Sequence, residues 1–203
     1  MTSKFGLNPW GTIWTQPRNT IRAIIENNPR YGFFSLASIL GISSAFLSIF
    51  LYKVSADTFR TSVIVNLLVA PFLGILSLYF NSWVLQIIGK LFKGNAPFIH
   101  VRAALSWSKV PYILPICMWL ILLVMSPNII FLKSEQPTAF FVSLIYTVST
   151  VWSFIILLKA VQEVQKFSVW FSLFNIVIAF IVSSLAMYLF GIIFSFIAKF
   201  FIR

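Results

Sequence analysis

Between residues 167 and 198 the chain carries no charged side chain, and four further stretches share that property: residues 31–52, residues 61–89, the run between residues 109 and 133, and the run between residues 135 and 159. A helix of about 20 apolar residues crosses a hydrocarbon layer, and a helix satisfies its own backbone polar groups there. Each stretch is long enough. The last exceeds the need of one span but is too short for two with a turn, so it reads as one tilted helix with an interfacial first turn. The expected fold is all-α: a polytopic integral membrane bundle of five transmembrane helices with short interfacial helices. It divides into an amino-terminal segment, residues 1–30, and a five-helix domain, residues 31–203.

Composition agrees. Hydrophobic residues make up 60% of the chain and charged residues 9%, whereas a soluble domain carries roughly a quarter charged residues. The net charge of +11 does not read as a nucleic-acid signal. Counterion displacement from phosphates needs a concentrated basic face, and here the Lys and Arg stand at the ends of apolar runs. Basic residues so placed meet anionic headgroups, which attract them by about 1 kcal/mol each. The expected partner is therefore a bilayer with anionic headgroups, with membrane-protein partners or a second copy of the chain beside it, and no nucleic acid.

The same residues orient the chain. Lys4, Arg18, Arg22, Arg30, Lys90, Lys93, Arg102, Lys109, Lys159 and Lys166 would lie on one side, ten in all, against five, Lys53, Arg60, Lys133, Lys199 and Arg203, on the other. That places the amino terminus in the cytosol and the carboxyl terminus outside. Pro9, Pro17, Arg18, Arg22 and Glu26 interrupt the first thirty residues, so no signal peptide is expected there.

Two segments on the cytosolic side read as more than linker. In the first, Thr15 is expected to cap a helix with Pro17 in its opening turn. Ile21, Ile24 and Ile25 form a stripe, with Arg18, Arg22 and Glu26 on another face and Trp10 and Trp14 before it. Two readings stay open: a helix lying on the membrane surface, or a short helix packed on the bundle. In the second, Phe98, Val101 and Leu105 make one face and Arg102, Ser106 and Lys109 the other, an interfacial helix feeding the third span. Gly89 and Gly94 would allow positive φ where the chain turns back. After the fourth span, Lys159 and Glu163 are spaced to pair at i, i+4.

Covalent chemistry needs acids, bases, nucleophiles or metals brought together. The four acids, Glu26, Asp57, Glu135 and Glu163, stand at or beyond the ends of spans, and the reading places no charge deep in any span. The single histidine, His100, has no second ligand at metal-binding spacing. The single cysteine, Cys117, sits in an apolar setting and cannot form an intramolecular disulfide. No enzyme, metal or cofactor is expected. Asn66, Asn81, Gln86 and Asn175 lie within apolar runs. Such amides either bond between helices or line a solute path, and Asn66, Asn81 and Asn175 are the candidates for intramembrane polar contacts. Pro71, Pro111 and Pro115 read as kinks. Ala37, Gly41 and Ala45, and again Gly191 and Ser195, are small residues spaced by four, a stripe for close helix approach.

The opening Asn8-Pro9-Trp10-Gly11-Thr12-Ile13-Trp14-Thr15-Gln16-Pro17-Arg18-Asn19-Thr20-Ile21-Arg22 resembles the start of bacterial members of the Yip family, the Ypt-interacting proteins. Gly89 to Phe98 is similar to that family's central loop, although Asn95, Ala96 and Pro97 depart from the usual Gly-Lys-Gly-Ser-Phe pattern. Trp107-Ser108-Lys109-Val110-Pro111 resembles the entry to its third helix, and Ala160 to Ser168 its segment after the fourth. The resemblance implies five transmembrane helices, a cytosolic amino terminus and a bacterial cytoplasmic membrane. Eukaryotic members associate with Rab-type GTPases and act in vesicle trafficking; they usually carry a longer cytosolic amino-terminal region than residues 1–30 here, so GTPase binding is not carried over. The function expected is non-enzymatic organisation of membrane components through Pro9, Trp10, Trp14, Pro17, Arg18, Arg22, Lys90, Lys93, Gly94 and Phe98. The alternative is a small channel or permease.

Overall fold

The computed structural model describes Gly6 and residues 8–51, 56–125 and 136–201. Lys4, Lys53, Lys133, Glu135 and Arg203, invoked above, lie outside the described residues. Two short helices, α1 (Pro9–Thr12) and α2 (Pro17–Asn27), precede α3 (Phe33–Leu51) and α4 (Ala56–Leu91). Then come α5 (Phe98–Trp107), a 3₁₀ turn at Val110–Tyr112, α6 (Ile113–Met125), α7 (Gln136–Gln165) and α8 (Val169–Phe201). Among the described residues there is no strand. Phe33–Leu51, Ile64–Leu91, Phe98–Val124, Ala139–Gln165 and Val169–Ile193 are long and apolar enough to cross a membrane. The expected bundle of five spans is the fold.

The third span is where expectation and structure part. It begins at Phe98, not at Lys109, so Arg102 and Lys109 fall inside an apolar crossing that was expected to hold no charge. It is also broken. Pro111 sits in the 3₁₀ turn, where its ring withholds the N–H that a continuous helix would need. Helix α4, by contrast, runs unbroken through Pro71 for 36 residues.

Helices α3 and α4 cross at a pair of glycines. A Cβ on Gly41 would collide with the Ala70 carbonyl, and one on Gly74 with the Ala37 carbonyl. In lipid there is no hydrophobic force between helices, so small residues that admit backbone contact supply the packing. The stripe Ala37, Gly41, Ala45 thus works inside the bundle. Its counterpart at Gly191 does not: nothing lies within 4 Å of where its Cβ would stand.

Buried side chains concentrate at one end. Ile13, Ile21, Ile24, Leu36, Leu78, Val101, Trp107, Val110, Ile156 and Val161 form one continuous core there. A second, smaller cluster joins Phe46, Trp119, Val142 and Tyr146. In it the Trp119 indole donates to the Tyr146 hydroxyl (3.2 Å), which donates to the Ser43 carbonyl (2.7 Å). Elsewhere the outer faces are apolar and open, as at Leu68, Phe72, Leu76, Phe180 and Phe196. That is the surface a bilayer requires.

Candidate functional site

The core-rich end of the bundle is closed by a cap built from the amino-terminal segment. Asn8 starts α1 by accepting from the Trp10 amide (3.2 Å), with Pro9 in the first turn. Helix α2 starts after Gln16, which makes no side-chain cap. The expected cap residue, Thr15, instead lies in the turn between the two helices. Pro17 presets φ for the first turn of α2, and Thr20, fully buried, stands 2.9 Å from both Thr12 Oγ1 and the Gln16 carbonyl. No side chain takes over the capping expected of Thr15; the Thr20 hydroxyl instead ties α2 to the end of α1.

Of the two readings for this helix, packing on the bundle is the one realised. Ile21 and Ile24 are fully buried in the large core, with Ile25 and Trp14 packed partly against it. The arginines follow them inward. Arg18 Nη2 donates to Gln162 Oε1. Arg22 donates from Nε to Glu163 Oε1 at 2.8 Å and from Nη2 to Oε2 at 3.1 Å. The Glu163 side chain is 8% exposed, and it also accepts from Lys166 Nζ at 2.7 Å. Its partner was expected to be Lys159; Arg22 occupies that role, because the docked α2 brings a guanidinium with two parallel donors to both carboxylate oxygens. The hydrogen bond to Glu163, and then its charge, raise the Arg22 guanidinium above its ordinary value.

Tryptophan closes the other side of the cap. Trp107, at the end of α5, is fully buried. Its ring lies 5.1 Å from that of Trp10 and 5.8 Å from that of Tyr31, and its Nε1 donates to the Tyr31 carbonyl at 3.2 Å. Gly32 makes this possible: its φ is +72°, and a Cβ there would press on the Trp107 ring at 3.0 Å.

The loop after α4 joins the same end. Positive φ falls on Lys93 (64°) and not on the glycines. Gly89 and Gly94 serve close approach: a Cβ on either would strike the Gln165 side chain. Gln165 Oε1 accepts from the Ala96 amide (3.3 Å), and Gln86 Nε2 donates to the Ala96 carbonyl (3.2 Å). Lys90 and Lys93 are exposed, as are Arg18 and Arg22, and Phe98 is half-buried. All ten candidate contact residues from Pro9 to Phe98 belong to this end, Pro9 and Gly94 buried within it, so the amino-terminal segment and the loop after α4 lie together.

The second expected polar face is absent. Arg102 and Ser106 are buried on α5, and the Arg102 guanidinium lies against the rings of Phe33 and Tyr79. Nor do the three amides converge. Asn81 lines a cavity of about 230 Å³ with Ser77, Lys109 and Ser183, and donates to the Ser77 carbonyl at 2.8 Å. Asn66 lines a separate cavity between α3 and α4. Asn175 is fully buried beside Gly89, in neither. Cys117, expected in an apolar setting, is exposed on the surface of α6 within the third span. His100 is half-buried, and no group of three or more His, Cys, Asp and Glu is placed to hold a metal among the described residues. Sequence reasoning missed Gln162, Trp107 and Tyr31 as cap partners.

The model of one protein family, the Yip1 domain, matches residues 10–193. No curated protein and no solved structure matches the chain.

Proposed function

We propose, from the premise that this chain belongs to the Yip1-domain family and is a multi-pass membrane protein, that it works without catalysis, organising other membrane components through its capped end. The docked cap carries this reading. Arg18 and Arg22 are held on α7 and Trp10 on Trp107, so the surface offered by α1, α2 and the loop after α4 is set before any partner arrives. A preset surface binds without the cost of ordering its side chains and loops. The excess of Lys and Arg on this end supports a cytosolic cap and an outward carboxyl terminus, in a bacterial cytoplasmic membrane with anionic headgroups.

Purification of the whole protein from membranes decides it. A membrane-protein partner should co-isolate reproducibly and be lost on Trp14→Ala or Arg18→Ala. A second reading, a small permease, is favoured by the cavity that Asn81, Ser77, Ser183 and Lys109 line. Proteoliposomes separate the two: solute or ion flux above that of empty vesicles, abolished by Asn81→Leu, would replace the organising role with transport.

A further inference from the structure

We infer that the pocket between the α2–α3 turn and the start of α5 binds the phosphate of an anionic glycerophospholipid from the surrounding bilayer. This stands on the membrane-spanning fold alone and does not depend on the cap having a protein partner. The pocket measures about 770 Å³ and is lined by Arg30, Phe33, Phe34, Tyr79, Phe98 and Arg102 among others.

Arg102 is its anchor. The residue is 9% exposed, and its guanidinium lies against the rings of Phe33 (4.6 Å) and Tyr79 (4.9 Å), which meet each other edge to face. Its Nη1 donates to the Tyr79 hydroxyl at 2.5 Å, and its Nε is buried with no hydrogen-bond partner. Among the described residues no carboxylate pairs with Arg102 or with Arg30; the Glu163 carboxylate is already taken by Arg22 and Lys166. A guanidinium removed from water without a counter-charge is costly. The start of α5 adds donors of the same sign. His100 and Val101 donate back to the Pro97 carbonyl, which leaves the amides of Phe98 and Ile99, two residues that line the pocket, without intrahelical partners, because the first amides of a helix have none. Pro97 supplies no capping side chain. A guanidinium, two free amides and the positive end of a helix make a site for an oxyanion, with Arg30 at its mouth.

The walls select a lipid over a soluble anion. Phe34, 69% exposed, forms one lip. From the Tyr79 wall, Leu76 and Phe72 continue down the same face of α4, both exposed, at the i−3 and i−7 spacing that keeps one helix face. An acyl chain laid along Tyr79, Leu76 and Phe72 leads straight from the phosphate site into the hydrocarbon. Two cations without protein counter-charges also favour a headgroup of net negative charge over a zwitterion.

Native mass spectrometry of the full-length protein in mild detergent tests this with phosphatidylglycerol, phosphatidylcholine and inorganic phosphate. Phosphatidylglycerol should bind one per chain, about tenfold tighter than phosphatidylcholine, the scale of one charge-assisted hydrogen bond. Arg102→Gln should remove that preference. Arg30→Glu, at an exposed position, should weaken it and decides the matter if Arg102→Gln does not fold. Lys159→Gln, the same change of charge as Arg102→Gln but outside the pocket, should leave it intact. Equal binding of the two lipids, indifference to both arginine changes, or an equal loss with Lys159→Gln overturns the site. Displacement of phosphatidylglycerol by millimolar inorganic phosphate overturns the lipid as its ligand.

Discussion

The Arg22 guanidinium grips both oxygens of Glu163, Nε at 2.8 Å and Nη2 at 3.1 Å, across 141 residues of chain. This contact ties the amino-terminal cap to the last turn of the fourth span, and it does so through a carboxylate that is nearly buried and a guanidinium that is half exposed. Reversing the charge of Arg22 sets two carboxylates against each other. Arg22→Glu should therefore release α2, making trypsin cleavage at Arg18 faster in limited proteolysis. Glu163→Arg in the same chain should recover part of the protection, and only part, because Lys166 also lies on Glu163. Unchanged cleavage in the single variant would mean the pair does not hold the cap.

Trp107 meets Trp10 and Tyr31 at once, so its loss should be felt across the cap. Trp107→Ala should cost about 3–5 kcal/mol of stability, the range for removing a buried aromatic. Trp107→Phe keeps a ring and loses the bond to the Tyr31 carbonyl, which should cost about 1 kcal/mol. Denaturant unfolding in detergent, followed by fluorescence of the remaining tryptophans, ranks the two.

Gly41 and Gly74 leave no room for a side chain. Gly41→Ala should destabilise the bundle by about 1–3 kcal/mol, as overpacking does, and Gly41→Leu should prevent a monodisperse peak in size exclusion. Gly191→Ala is the control, since its Cβ would meet nothing within 4 Å. Equal behaviour of Gly41→Ala and Gly191→Ala would show that the helices can shift apart.

Orientation is open to chemical labelling. With Cys117 replaced by alanine, single cysteines at Asn95 and Ser134 report the two sides. Asn95 is exposed beside the cap; Ser134 lies outside the described residues. An impermeant maleimide added to intact cells should label position 134 and spare 95, as the basic excess at the capped end demands. The opposite pattern would invert the chain in the membrane.

The spans were legible because uncharged runs of that length have no other stable setting, and a close approach of α3 was legible because Ala37, Gly41 and Ala45 repeat at the helix period; its partner face on α4, with Gly74, was not. What escaped were contacts made by distant parts of the chain. Lys159 looked like the partner of Glu163 because both lie on one helix; Arg22 wins by arriving on another. Arg102 looked solvated because periodicity shows a polar face but not the rings of Phe33 and Tyr79 that cover it. Glycine at 94 suggested the positive φ that Lys93 in fact adopts. The candidate residues gather at one end of the bundle, while the contacts that hold them there, to Gln162, Glu163 and Trp107, lay in tertiary structure.

The length of α4 has a consequence for the membrane itself. Ile64–Leu91 is 28 residues of apolar helix, about 42 Å at 1.5 Å per residue. A hydrocarbon layer of about 30 Å is shorter than that. Standing upright, the helix would carry apolar side chains into the headgroups, so α4 leans or the lipid around it stretches, at a cost of a fraction of a kcal/mol per Å of misfit. A thicker bilayer lowers that cost.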